Sequence, residues 1–337
     1  MVVPGSIPNM IRSFANLFLY FAGMISISNK SKQFLIAAAK LLIVAAAFYF
    51  IYVRLADDDA LDRKLFFDKL EESFSPLTVF ILLLLSFLNR FLEILKWQNL
   101  VSVIRIISIW EATKQVLGAL TLSVFTPNGI GEYGAKALFF EKEKTKKVVF
   151  LNLVCNGIQM VLTIIFGVFG LLYFNSQYHV ITDRTVGILF GAFCMLLLIS
   201  FGVKRMSVKG YSIDKLMKKI GEIPKGVHQK NIFLAVCRYV VFSHQYYFLF
   251  AIFGVELPYL MMMAAICSVY FLSSALPTFQ FFDFAIKGSV AVYFFSLLGV
   301  NEWIPVFVTT IMWLLNVVLP VIAGSYFVIS FKPQWKQ

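Results

Sequence analysis

Glu132 and Lys136 stand four residues apart in "TPNGIGEYGAK" (126–136), and an acid placed four residues ahead of a base is the spacing of an ion pair along one helix face. Pro127, Gly129 and Gly131 precede the pair and Gly134 falls inside it. "SSALPTFQFFDFAIK" (273–287) echoes the pattern: Pro277, Asp283 and Lys287 correspond to Pro127, Glu132 and Lys136, with one extra residue between proline and acid. Both runs interrupt apolar sequence. A charge at the centre of a bilayer costs ~2.5–3.5 kcal/mol on insertion scales, so each such group needs a partner or a task. The chemistry these residue types suit is electrostatic rather than covalent: they can meet the polar headgroup of an amphiphile.

Two further groups belong with them. Asn89, Arg90, Glu93 and Lys96 face one another at helical spacing near the end of an apolar run, either at the site or as side chains snorkelling to the interface. Asn152, Asn156 and Gln159 recur along the run after the first break, where they line a polar path or bond neighbouring helices. No nucleophile elbow, phosphate-binding loop or dinucleotide fingerprint is present, so enzyme chemistry is not expected. Cys155, Cys194, Cys237 and Cys267 stand singly, and no two of His179, His228 and His244 have ligand spacing. No metal or cofactor is expected. His244, beside Gln245 and Tyr246, reads as a buried hydrogen-bonding residue.

The elements that must position these groups are membrane helices. Hydrophobic residues make up 60% of the 337, charged residues 14%, and mean hydropathy is +0.81, outside the usage of soluble globular proteins. Apolar runs long enough to cross a hydrocarbon core about 30 Å thick fall at 34–53, 76–95, 148–174, 185–203, 231–253 and 303–330. The regions 113–147 and 257–299 are interrupted and read as broken, re-entrant hairpins. The fold expected is an all-α polytopic membrane protein with about six spans and two hairpins, the hairpins entering from opposite faces as inverted repeats. Residues 34–331 form a single transmembrane domain, with a tail at 332–337. Residues 1–33 are an N-terminal segment, either interfacial or the product of a start placed too far upstream, with Met24 as the alternative start.

The net charge of +12 is a topology signal and not a nucleic-acid signal. The loop 204–230 holds eight lysines and arginines while 175–184 holds only Arg184, which puts the former and the C-terminus in the cytoplasm and the acidic stretch 57–72 outside.

"FTPNGIGEYGAKAL", preceded by "NRFLEILKWQNL" (89–100), resembles the lysylphosphatidylglycerol synthase transmembrane-region family, a flippase-like membrane module. Pro127, Gly131, Glu132 and Lys136 match its recognisable core, and the resemblance covers about 34–330. It implies a multi-pass protein of the bacterial inner membrane that moves or handles lipids. Two departures matter. Phe279, Gln280 and Phe281 stand where many relatives have a glycine-rich turn, and the chain ends at Gln337 without the soluble aminoacyltransferase domain, so lysyl transfer is not expected.

Two functions follow as expectations. One is a flippase for a phospholipid or an anionic or lipid-linked headgroup, using Pro127, Gly129, Gly131, Glu132, Lys136, Asp283, Lys287, Arg90, Glu93, Asn152 and Asn156. The other is a scaffold that holds a membrane enzyme partner through the basic loop 204–230 and transports nothing.

Overall fold

A computed structural model describes residues 74–180 apart from 125, 127 and 128, residues 213–331 apart from 277, and the isolated positions 49, 52, 53, 68, 182 and 184. Pro127, Pro277, Cys194, Met24 and the rest of segment 1–33, the spans at 34–53 and 185–203, the acidic stretch 57–72, loop residues 204–212 and the tail 332–337 therefore lie outside the described residues, isolated positions apart.

The described chain is all-helical. Helix α1 (Pro76–Val101) starts where Ser75 accepts the Thr78 N–H on its Oγ at 3.2 Å, with proline at the first helical position, where a missing N–H has no consequence. Helix α2 (Ile109–Ser123) is capped likewise by Ser108, whose Oγ accepts the Glu111 N–H at 3.1 Å. The short α3 (Gly131–Ala137) and the long α4 (Thr145–Tyr178) follow, then α5 (Ile213–Gly221), α6 (Lys225–Ile252), α7 (Tyr259–Ala275), α8 (Asp283–Leu297) and α9 (Trp303–Trp313). One π-helical turn, Leu314–Val318, joins α9 to α10 (Leu319–Ile329).

Among the described residues three helical stretches are long and apolar enough to cross a membrane: Pro76–Val101, Lys142–Tyr178 and Trp303–Ile329. The first two contain the apolar runs expected at 76–95 and 148–174, and the third covers the run expected at 303–330 except its last residue. The run at 231–253 is helical within the 28 residues of α6 but is not among the three. Arg238, His244 and Gln245 and three tyrosines lower its apolarity, and two of those residues turn out to be structural necessities. Large apolar side chains such as Phe80 and Phe87 on α1, Met160 and Phe169 on α4, and Ile322 and Tyr326 on α10 point outward, as a lipid-facing surface requires.

The packing is crossed. Helix α1 packs on α6, α2 on α10, and α7 on α4. Each of the last two contacts runs over glycine: a Cβ on Gly324 of α10 would sit 2.3 Å from the Leu117 carbonyl oxygen of α2, and one on Gly170 of α4 would sit 2.8 Å from the Ala264 carbonyl oxygen of α7. Backbones approach this closely where small residues allow, which is the main route to tight packing between helices that share an apolar solvent.

Two separate apolar cores result. One joins Leu82 of α1, Phe174 of α4, the Tyr246–Phe253 end of α6, and α7, α8 and α9. The second joins Ile94–Val101 of α1, Val148–Cys155 of α4, and α2 with Ala137 and Phe140. Ser86, Asn89, Arg90 and Glu93 of α1 and Asn156, Gln159 and Thr163 of α4 fall between the two cores.

Candidate functional site

The site begins where two helix breaks touch. After α2 the chain turns through Gly129, whose φ of 65° lies in the left-handed region that suits glycine, and the Gly131 N–H donates to Thr126 Oγ1 at 2.9 Å as α3 begins. After α7 the chain turns through a single 3-10 turn, Gln280–Phe282, into α8. The Phe281 N–H donates to the Val124 carbonyl at 3.1 Å, and Ser123 Oγ donates to Gln280 Oε1 at 3.4 Å. A Cβ on Gly129 would lie 3.2 Å from that same Gln280 oxygen. Residues 157 positions apart in sequence are thus in direct contact, and broken backbone at one turn is partly satisfied by the other.

Beside the breaks, between the two apolar cores, is a cavity of about 400 Å³ whose wall includes Arg90, Glu93, Glu132, Arg238, Asp283 and Lys287. Glu132 pairs with Lys136 at 2.6 Å and Asp283 with Lys287 at 2.5 Å, each along one helix turn. Glu93 is held by two cations, Arg238 at 2.7 Å and Lys96 at 3.5 Å, and also accepts from the Cys155 thiol. Gln159 Oε1 accepts from both Lys96 and Arg238. Glu93, Lys96 and Lys136, the buried charges among these, each have a close opposite charge, and leaving one of them unpaired would incur the desolvation penalty.

A relay of amides fixes the two arginines. Arg238 Nε donates to Asn89 Oδ1 at 3.0 Å, Asn89 Nδ2 to Asn316 Oδ1 at 2.6 Å, Asn316 Nδ2 to Gln245 Oε1 at 3.0 Å, and Gln245 Nε2 to the Leu82 carbonyl at 3.0 Å. Asn316 lies in the π-helical turn, and its presence there has a backbone cause. Pro320 has no N–H, and the Leu319 N–H is used by the Leu314 carbonyl, so the Leu315 and Asn316 carbonyls lose their ordinary helical donors. Helix α1 replaces them: Ser86 Oγ donates to the Leu315 carbonyl at 2.6 Å and the Arg90 guanidinium to the Asn316 carbonyl.

The residues picked from sequence divide into three groups. Arg90, Glu93, Glu132, Asn156, Asp283 and Lys287 line the cavity. Lys136 and Asn152 lie behind its wall, fully buried, with Lys136 Nζ donating to Asn152 Oδ1 at 2.8 Å and resting 4.4 Å from the Trp97 ring centre. Gly129 and Gly131 shape the first turn, while Pro127 is outside the described residues. His244 differs from the expectation of a buried residue. It is only half-buried, and its ring bonds Tyr259 Oη and the Val240 carbonyl at 2.8 Å each. Helix α3 ends at Ala137 because Leu138–Phe140 close a turn.

Sequence reasoning missed Arg238 and Asn316. Neither has a polar neighbour three or four residues away, although Asn231 and Gln245 stand seven residues to either side of Arg238 and Thr309 seven before Asn316. A trace of Asn316 does exist in the sequence: it stands four residues before Pro320, the position whose carbonyl the proline deprives of a donor.

Among the described residues no cluster of His, Cys, Asp and Glu is arranged to hold a metal. Comparison of the chain with protein-family models, with curated proteins and with solved structures finds no match.

Proposed function

We propose that the chain is a multi-pass lipid-handling protein of the bacterial inner membrane that carries the polar headgroup of a phospholipid or lipid-linked compound between leaflets. The observation that supports this best is the charged cavity placed between two apolar cores at the contact of two broken helices. Discontinuous helices meeting at membrane depth are how transporters present polar groups and free backbone to a substrate while lipid sees only intact helix. In this reading the units α1, α2–α3, α4 and α6, α7–α8, α9–α10 are inverted repeats. The crossed packing supports that: the first arm of each hairpin lies on the long helix that ends the other repeat.

About six spans and two re-entrant hairpins complete the proposed topology, with loop 204–230 and the C-terminus in the cytoplasm. The run Gly131, Glu132 and Lys136, which bears the resemblance to the lysylphosphatidylglycerol synthase transmembrane region, lies at the first break and favours membership of that flippase-like family. The experiment is a headgroup-accessibility assay in proteoliposomes comparing the wild type with Asp283→Asn. Facilitated exchange in the wild type that falls at least about tenfold in the variant supports the reading, since a charge-assisted contact at the cavity is lost. Equal exchange with and without protein across several headgroups overturns it.

A scaffold role rests on α5, which exposes Lys218 and Lys219. Reversing those two charges would then abolish capture of the partner enzyme, whereas Asp283→Asn would leave it intact.

A further inference from the structure

The charges of the site do not balance. The wall itself carries Arg90, Arg238 and Lys287 against Glu93, Glu132 and Asp283, and Lys96 and Lys136, packed behind it and paired with two of those acids, bring an excess of two positive charges in their ordinary states. Asp283 and Glu132 have one cation each and Glu93 has two, while Arg90 pairs with no carboxylate among the described residues and spends one arm of its guanidinium on a backbone carbonyl. The unpaired polar atoms have the same bias. Arg90 Nε, Gln159 Nε2 and the Tyr246 hydroxyl are buried without a hydrogen-bond partner among the described residues, and all three belong to residues of the cavity wall. These are donor groups, so what the cavity lacks is an acceptor with negative charge.

We infer that the cavity is a subsite for a phosphate group carrying two negative charges, a phosphomonoester or a diphosphate, and that it ranks such headgroups above singly charged phosphodiesters and zwitterions. This deepens the lipid-handling reading and rests on it. A phosphomonoester supplies three acceptor oxygens and a charge near −2 at neutral pH, matching both the excess of cations and the three idle donors. Guanidinium groups suit it because two parallel N–H donors meet two phosphate oxygens, and Arg90 and Arg238 are supplied by helices α1 and α6 on the same wall. A cavity of about 400 Å³ is at the small end of ligand clefts, in keeping with a headgroup held there while its chains stay outside.

The test uses the full-length protein in mixed micelles at pH 8 with a fluorescent-tail phosphatidic acid as probe. Competitors are unlabelled phosphatidic acid, phosphatidylglycerol, phosphatidylcholine and inorganic pyrophosphate. Phosphatidic acid is expected to displace the probe at a mole fraction at least about tenfold below that of phosphatidylglycerol, with phosphatidylcholine weaker still. Arg90→Gln should erase that preference and Arg90→Lys should restore part of it; if Arg90→Gln does not elute as a single species, Lys287→Gln, half-exposed, takes its place. Equal displacement by the two anionic lipids overturns the charge inference and leaves the lipid reading standing. Displacement by pyrophosphate alone keeps the doubly charged subsite and overturns the lipid reading. Failure of every lipid and of pyrophosphate to displace the probe overturns both.

Discussion

The two acid–base pairs have the same spacing and opposite surroundings. In the first break Lys136 is 0% exposed, bonded to Glu132 and Asn152 and stacked on Trp97, and Trp97 is itself fixed through its indole N–H to Gln115 at 2.7 Å. In the second, Lys287 is 33% exposed and Asp283 23%, and among the described residues the ammonium meets Asp283 and, at 5.4 Å, the Tyr270 ring. Both acids line the cavity, but one lysine is locked behind the wall and the other stands open to it. Identical sequence spacing therefore builds a strut at one break and a contact surface at the other. The difference comes from neighbours on α1 and α4 that have no counterpart around α8.

The sharpest way to break that comparison is to remove each lysine. Lys136→Ala leaves Glu132 without its cation and the Asn152 oxygen without a donor in a dry setting, and losing one partner of a buried pair costs about 3–5 kcal/mol. Lys287→Ala exposes Asp283 to the cavity, where an exposed pair is worth about 0–1 kcal/mol. Thermal unfolding in detergent should show a large drop for the first and little for the second, while lipid exchange should fail in both. Similar losses of stability would mean that the two pairs are equivalent and the contrast drawn from burial is wrong.

Next in size is the glycine test of the crossed packing. Gly324→Ala drives a methyl into the Leu117 carbonyl and Gly170→Ala into that of Ala264, so each should cost about 1–3 kcal/mol as the helices are pushed apart. Gly157→Ala on α4 meets nothing within 4 Å and should be neutral or stabilising by up to about 1 kcal/mol, since alanine is the better helix former. Unequal responses at Gly324 and Gly170 would mark one hairpin as the more mobile, and the comparison of the two breaks would sharpen accordingly.

A third experiment addresses whether the breaks stay in contact. Ser123→Cys with Gln280→Cys should be joined by a short bifunctional thiol reagent in native membranes, because the two side chains already meet at 3.4 Å. Bridging is expected to abolish lipid exchange if the breaks separate during the cycle, and to leave it unchanged if they are a fixed floor. Each single cysteine should retain exchange.

Much of this arrangement was legible in the sequence, and the limits have physical causes. Helical spacing tied Glu132 to Lys136, Asp283 to Lys287 and Glu93 to Lys96, because those relations are set by the pitch of one helix. Proline and glycine marked the breaks, because they act on the local backbone. What spacing could not convey was depth and partnership: that Lys136 would be buried under Trp97, that Glu93 would be claimed by Arg238 from 145 positions away, or that His244 would face partly outward. Those depend on which helices cross, and the crossing is set by side-chain shape along surfaces that are apolar throughout. Arg238 and Asn316 lack a polar neighbour at three or four residues, and the wider seven-residue spacing of Asn231, Arg238 and Gln245 marks a helix face without saying what that face meets.

The smallest expected effect concerns Pro320, and it tests why the open side of the site has an arginine with one arm committed to backbone. Pro320→Ala supplies the missing N–H, which can reach the Asn316 carbonyl in ordinary helical register or that of Leu315 in the π register. Either way one of the carbonyls now served by Ser86 or Arg90 gains a backbone donor. The net change in stability should be under about 1 kcal/mol, since one hydrogen bond replaces another and Leu319 and Val321 already hold the helix on either side. The informative quantity is the coupling. If Arg90 bonds Asn316 because proline left that carbonyl vacant, Arg90→Gln should destabilise the Pro320→Ala background less than it destabilises the wild type, by about 0.5 kcal/mol or more, the range found for residues sharing one network. Additive effects in that double-mutant cycle would show that the guanidinium is placed by its charged neighbours alone, and that the proline bends the helix without positioning the arginine.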